Sequence, residues 1–327
     1  MNNKNRGRLS FLRFIPIGLA AFLLFSMVSI SVSQIFLGLT LIGWIYYLIR
    51  ERRRFRCPGF FWPLAAYAGL SLLAAFFSVN PEISLWDTRE LLMFLIVPLV
   101  YTGFSREEDL DRVNMAFLGS AALGLFIFIP FLLRRGPGAR FSGFAGHYMT
   151  EAGMLLMFCM MAGSMVLFSR LKIRWLWGAV LLISLVMLTF TLTRSAWVGL
   201  FSGAIVLLLL YKPKTLLLLP LLAAAAYFIS PGSIRDRALS IFNPKNPTNM
   251  IRFEYIRAGL KIIRDFPVLG TGPDTVDMVF QHPKYGLSQE ARRNVHLHNN
   301  LIQIAAERGL ITLTAWLVFL VWVFISL

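Results

Sequence analysis

The sequence predicts an all-α, polytopic transmembrane fold of about ten spans with one large outward-facing loop domain. Three observations carry that expectation. Hydrophobic residues make up 57% of the 327 and only 15% are charged, against roughly 25% charged in a soluble domain; mean hydropathy is +0.68. The apolar residues come in blocks of fifteen to twenty, a length that crosses a bilayer at about 1.5 Å rise per residue. The basic residues sit in short tracts between those blocks, as inside-facing loops do.

Taken in order, the spans fall at 14–31, 34–49, 60–77, 89–104, 114–133, 149–168, 174–192, 195–210 and 215–229, and a tenth helix begins near Asn300. The first block has a charged start and no small-residue cleavage site, so it reads as a span rather than a removed signal peptide. Pro16, Pro98, Pro130 and Pro220 inside spans are tolerated where neighbouring helices satisfy the freed backbone groups. Lys4, Arg6, Arg8 and Arg13 precede the first span, and Arg50, Arg52, Arg53, Arg54 and Arg56 follow the second. Arg106 and Arg112 follow the fourth, Arg170, Lys172 and Arg174 the sixth, and Lys212 and Lys214 the eighth. All fall on one side if nine spans alternate, and the positive-inside rule makes that side the cytoplasm.

The domains expected are therefore 1–229 for the first nine spans, 230–299 for an outward loop domain with a helix at about 250–265, and 300–327 for the start of the next span. The loop holds ten basic residues against six acidic ones. Long loops escape the positive-inside rule, and a basic outer domain suggests an anionic partner, with lipid headgroups the plainer reading. Within it, Ile251, Tyr255, Ala258 and Ile262 recur at helical spacing, and Asp265-Phe-Pro-Val-Leu-Gly-Thr-Gly-Pro ends the helix with breakers. The segment 271–296 reads as irregular. Gly270 and Gly272 do not form a nucleotide loop, because no strand–glycine–helix unit surrounds them.

The net charge of +16 does not indicate nucleic acid, because no basic patch interleaved with aromatics is visible. Cys57 and Cys159 are not expected to pair, on geometry and compartment.

The stretch 249–272, an arginine-led helix ending in PxxGxG, resembles the O-antigen ligase/polymerase family. His298-Asn-Asn-Leu-Ile-Gln-Ile-Ala-Ala-Glu-Arg-Gly-Leu-Ile is similar to the family's "HN…LQxxAExGxxG" signature. Leu192-Thr-Arg-Ser-Ala-Trp-Val-Gly-Leu resembles its "SRxxxxGL" element, and Phe141-Ser-Gly-Phe-Ala-Gly-His an earlier outward loop. The likeness runs from about 141 to 315. It departs where Thr312 follows Gly309 in place of a second glycine, and where the chain stops at Leu327 inside a helix, although the family normally has further spans; a fragment of a longer protein is one reading of that end.

The resemblance implies a GT-C-like fold in the bacterial inner membrane, multi-pass, with the active site facing the periplasm. It implies a donor glycan on undecaprenyl diphosphate and an acceptor hydroxyl on lipid A–core or another glycan, with membrane lipids as surroundings. Neither cofactor nor metal is expected, because arginines can neutralise the leaving diphosphate through bidentate hydrogen bonds. A histidine is the usual base for the acceptor hydroxyl near neutral pH.

The catalytic residues expected are His298, Arg194 and Arg252, with Arg257, His296, Asn299, Arg140 and His147 as substrate-binding residues. Arg194 stands at the outward end of two spans, where an arginine is costly unless partnered, although snorkelling to headgroups is its plain alternative. Arg252 heads the loop helix, whose N-terminus favours anions, or else is an exposed charge paired with an acid. His298 precedes the last helix, a place where a lone histidine is more often a capping or interface residue. Arg257, five residues from Arg252, faces another side of the helix. Glu307 is a second choice, and a zinc site of His282, His296 and His298 lacks acidic ligands at helical spacing. The activity expected is O-antigen ligase, with O-antigen or exopolysaccharide polymerase the alternative. Protein O-glycosylation ligase is a third variant, and a lipid-linked glycan transporter the reading outside this class.

Overall fold

The computed structural model describes residues 14–52, 54–104, 107–135, 139–143, 146–169 and 174–326. Lys4, Arg6, Arg8, Arg13, Arg53, Arg106, Arg170 and Lys172 of the basic tracts, and Phe144 and Ala145 of the early outward loop, lie outside those residues. The described residues form helices and connecting turns, with no strand among them. The α-helices are α1 (Phe14–Ser26), α2 (Ile30–Arg50), α3 (Phe61–Phe76), α4 (Pro81–Asp87), α5 (Ile96–Gly103), α6 (Glu107–Arg135) and α7 (Tyr148–Phe168). They continue with α8 (Arg174–Phe190), α9 (Arg194–Tyr211), α10 (Leu218–Ile229), α11 (Gly232–Leu239), α12 (Pro247–Asp265), α13 (Val276–Phe280) and α14 (Asn300–Ser326).

Five of these, α2, α6, α7, α9 and α14, are long and apolar enough to cross a membrane by length and composition. Shorter apolar helices occupy Phe14–Ser26, Phe61–Phe76, Arg174–Phe190 and Pro213–Ile229. The expected span 89–104 is divided: Thr88–Leu95 is a 3-10 helix and only Ile96–Gly103 is α-helical. Pro98 has no N–H to give an α-helical bond to the preceding turn. Large apolar side chains on the long helices stand open, Phe126 at 78% and Ile325 at 79% exposure among them, as a lipid-facing surface requires.

The chain forms two compact units, each from two separated segments: Met1–Tyr47 with Gly103–Phe242, and Leu48–Thr102 with Asn243–Leu327. In the first, α1 packs on α6, and α7 packs on both α8 and α9. Its core gathers Phe117, Phe128, Phe141, Phe158, Trp177 and Met187, with Phe117 stacked on Phe158 at 4.0 Å between ring centroids. Gly18 of α1 lies directly against the side chain of Thr40 in α2. A small residue there permits the close helix approach typical of membrane packing.

In the second unit α3 packs on α14, with Tyr67 against Trp316 at 5.2 Å. A separate core lies beside them, built from Tyr255, Ala258 and Ile262 of α12 with Val276, Phe280, Tyr285, Leu287, Ala291, Leu297 and Ala306. The amphipathic face read from the sequence is therefore the face that α12 buries. Pro247 opens α12, where a missing N–H costs nothing, and the Asn246 side chain accepts from Thr248 N–H at 3.1 Å. The segment 271–296 is not wholly irregular. It holds α13 and single 3-10 turns at Pro283–Tyr285 and Ala291–Arg293, wrapped on the buried face of α12.

The end of α12 explains the two glycines that follow it. Inside α14, Gly309 adopts φ 81° and ψ 167° and breaks the helix. The loop 266–275 fills the break: Thr271 N–H donates to Ala306 O at 2.9 Å and Gly272 N–H to Glu307 O at 2.8 Å. In return Leu310 N–H donates to Pro267 O at 2.9 Å. The broken helix thus keeps its backbone groups satisfied, and Gly270 and Gly309 carry positive φ at points of backbone-to-backbone contact.

Candidate functional site

Of the expected site residues, Arg194, Arg140 and His147 belong to the first unit, and Arg252, Arg257, His296, His298 and Asn299 to the second. In the first unit α8 and α9 are joined by the buried turn Thr191–Thr193, with Leu192 in the left-handed region at φ 53°. Arg194 opens α9 and is only 5% exposed, so it does not snorkel. Its Nη1 donates to Ser240 O at 2.9 Å and to Ser240 Oγ at 3.2 Å. Arg237 of α11 reaches the other way, its Nε donating to Leu192 O at 3.3 Å. Arg194 is thereby held to the end of α11, a partner that sequence spacing did not reveal.

Arg140 and His147 share one aromatic ring. The Arg140 guanidinium lies 4.4 Å from the centre of the Tyr148 ring, and His147 stacks on the same ring at 4.8 Å. Phe141 anchors this loop, with its N–H on Phe190 O at 2.9 Å and its ring against Phe128.

In the second unit Arg252 and Tyr255, three apart on α12, lie on one helical face. Tyr255 is fully buried; its hydroxyl donates to Ala291 O at 2.7 Å and accepts from Asn294 Nδ2 at 2.7 Å. Its ring lies 5.5 Å from that of His298. His298 remains open to solvent on another side and has φ 52°. Partial burial, then the positive charges of Arg252 and His296, lower its pKa below the ordinary histidine value. Arg252 and His296 thus lie within electrostatic reach of His298, and the imidazole is biased toward its neutral, proton-accepting form. Arg257 is exposed elsewhere on α12. Asn299 caps α14, its Oδ1 accepting from Ile302 N–H at 3.1 Å.

Asn299 and Glu307 were singled out from the sequence, but Gln303 between them, Arg308 and Asp87 were missed. Asn299, Gln303 and Glu307 recur at spacings of four on one face of α14, a pattern legible in advance. Glu307 is 3% exposed; its Oε1 accepts from Gln303 Nε2 at 2.6 Å, and its Oε2 pairs with Arg308 at 3.2 Å. Arg308 also pairs with Asp87 of α4 at 3.0 Å, a partner no local pattern announces. Asp274, with φ 56°, stands near this group; burial, then Asp87 and Asp277, raise its pKa above the ordinary carboxylate value. Among the described residues no group of three or more His, Cys, Asp and Glu could hold a metal ion.

These features define an all-helical membrane protein with a polar cluster of arginine and histidine built on a helical loop segment. Over residues 179–317 the chain matches the family described as O-antigen ligase. The resemblance read from the sequence is borne out there, in the stretch containing Arg194, Arg252 and His298. The family implies ligase- or polymerase-type glycan transfer, with lipid-linked glycan and lipid as the general class of partner. Comparison with curated proteins finds no match.

Proposed function

We propose that this chain is an O-antigen ligase of the bacterial inner membrane, moving a glycan from undecaprenyl diphosphate to a hydroxyl of lipid A–core at the periplasmic face. The observation that supports this best is Arg252 within electrostatic reach of His298, inside the family-matched stretch. In this reading the neutral imidazole takes the proton of the acceptor hydroxyl. The freed oxygen bonds to the anomeric carbon of the donor sugar, and the bond to phosphate breaks with its electron pair leaving on the lipid diphosphate. Guanidiniums neutralise the charge that develops on the leaving group; Arg252 is assigned that role, as is Arg194. No metal enters the proposal. Arg257, His296, Arg140 and His147 are assigned to substrate, and Asn299 to orienting His298 through the helix cap. The membrane arrangement proposed is about ten spans, with 230–299 outside and 1–229 and 300–327 carrying spans.

Deleting the gene and sizing the glycan tests the proposal. A ligase deletion leaves long polymer on the lipid carrier and none on the core. Core capped by a single repeat would make the chain a polymerase, with the diphosphate chemistry unchanged. Unaltered glycan on both carrier and core would remove the proposal. In the reconstituted protein, Arg252→Ala should lose most transfer, and Arg252→Lys should restore little, because a point charge lacks the guanidinium fork.

A further inference from the structure

We propose that Gln303 and Glu307 are positioning residues for His298, links in a hydrogen-bonded relay from Asp87 through Arg308, Glu307 and Gln303 to the backbone of Leu297. The inference rests on the role given to His298 above.

Each link is a direct contact within one unit. Asp87 Oδ2 accepts from Arg308 Nη2 at 3.0 Å, and Arg308 Nη1 donates to Glu307 Oε2 at 3.2 Å. Gln303 Nε2 donates to Glu307 Oε1 at 2.6 Å, and Gln303 Oε1 accepts from Leu297 N–H at 2.8 Å. The partners fix the amide orientation, because a carboxylate needs its nitrogen and an N–H needs its oxygen. Glu307 is buried, and its two carboxyl oxygens are held in place by Arg308 and by the Gln303 donor together.

The relay ends beside a left-handed backbone position. Leu297 is 1% exposed, and the next residue, His298, sits in the left-handed region at φ 52°. A non-glycine residue holds such a conformation only when its surroundings over-determine it. Here the surroundings are Leu297 N–H on Gln303 before it, Asn299 capping α14 after it, and the Tyr255 ring beside it. A capping box would bring the third helical side chain back to the N–H of the cap residue itself. Gln303 is one position deeper and reaches past the cap and past His298 to Leu297, so its contact serves the histidine's backbone rather than the helix start. The downstream half of the signature, Gln303 and Glu307, thereby acquires a task tied to its first residue. Arg308 carries the tie to α4, so the imidazole is braced against a second helix and not only against its own.

The test uses the full chain in lipid nanodiscs with labelled histidine. The chain has four histidines, so the His298 resonances can be identified by their loss in a His298→Gln control and followed through a pH titration. Gln303→Met, similar in size and unable to make either bond, should move the His298 resonances and raise its midpoint toward that of free histidine. Glycan turnover should fall roughly ten- to a hundredfold, as for a misplaced catalytic group, with donor KM little changed. Glu307→Gln should act in the same direction; should it fail to fold, Gln303→Met at a partly exposed position still decides. An unmoved His298 in folded Gln303→Met overturns the relay, even where transfer is lost. A moved His298 in Gln303→Met, where the unsubstituted protein itself transfers no glycan, leaves the relay standing and removes the functional reading instead.

Discussion

Replacing Gly309 by alanine tests whether the break in α14 is a designed junction. At φ 81° and ψ 167° the backbone occupies a region that side-chain-bearing residues enter at a cost of about 1–3 kcal/mol. A Cβ there would also meet the backbone carbonyl of Val268, and backbone cannot rotate away as a side-chain tip can. The loop must shift, and it carries three hydrogen bonds to the broken helix, from Thr271, Gly272 and to Leu310, each contributing on the order of 1 kcal/mol net. Losing one or two of them together with the strain gives roughly 2–5 kcal/mol. Equilibrium unfolding by SDS in mixed micelles, followed by tryptophan fluorescence, measures it. Gly69→Ala is the control: it lies in α3 with nothing within 4 Å of an added Cβ, and should be neutral or stabilising by up to about 1 kcal/mol. A Gly309→Ala protein within about 0.5 kcal/mol of the parent would refute the reasoning, because the helix would then have a second backbone path of equal stability.

Two further outcomes follow from the second unit. The charge of Arg252 disfavours the imidazolium of His298, so Arg252→Met should raise the His298 pKa and move the acid limb of residual transfer to higher pH. Arg252→Lys should leave that limb in place; pH–rate profiles of the two variants distinguish them. Asp87→Asn removes one charged partner of Arg308, whose side chain is 16% exposed. It should cost roughly 1.5–3 kcal/mol, read by the same unfolding assay, and less when combined with Arg308→Met.

The parts legible in the sequence are those set by short-range pattern. Apolar blocks gave most helices to within a few residues, including the expected helix at 250–265, found at Pro247–Asp265, and the last helix from Asn300. Arg252 and His298 were singled out by type and place, and His298 lies against Tyr255, a residue that read only as one apolar position of a helical face. What escaped depends on separated backbone. Gly270 and Gly272 read as helix breakers, but Gly270 lies against the α14 backbone at Glu307, and Gly272 donates to Glu307 O while lying against Ser78 and Ser84. The pairing of Asp87 with Arg308 joins residues 221 apart, and nothing near either one predicts it. The division of 89–104 into a 3-10 helix and a short α-helix was hidden because hydropathy records composition and not the hydrogen bond that Pro98 cannot make.

The second unit has a consequence for biosynthesis. Its α3 ends at Phe76 and packs against α14, which begins at Asn300. At about 5–20 residues per second, synthesis separates the two by on the order of 10–45 s. During that interval α3 has left the ribosome and its partner does not yet exist. Ser71, fully buried in the finished protein, meanwhile lacks the surroundings that bury it. An early helix must therefore be stable in lipid by itself or be sheltered by the insertion machinery. Late truncations before α14 should accordingly leave a chain that inserts but is handed to quality-control proteases.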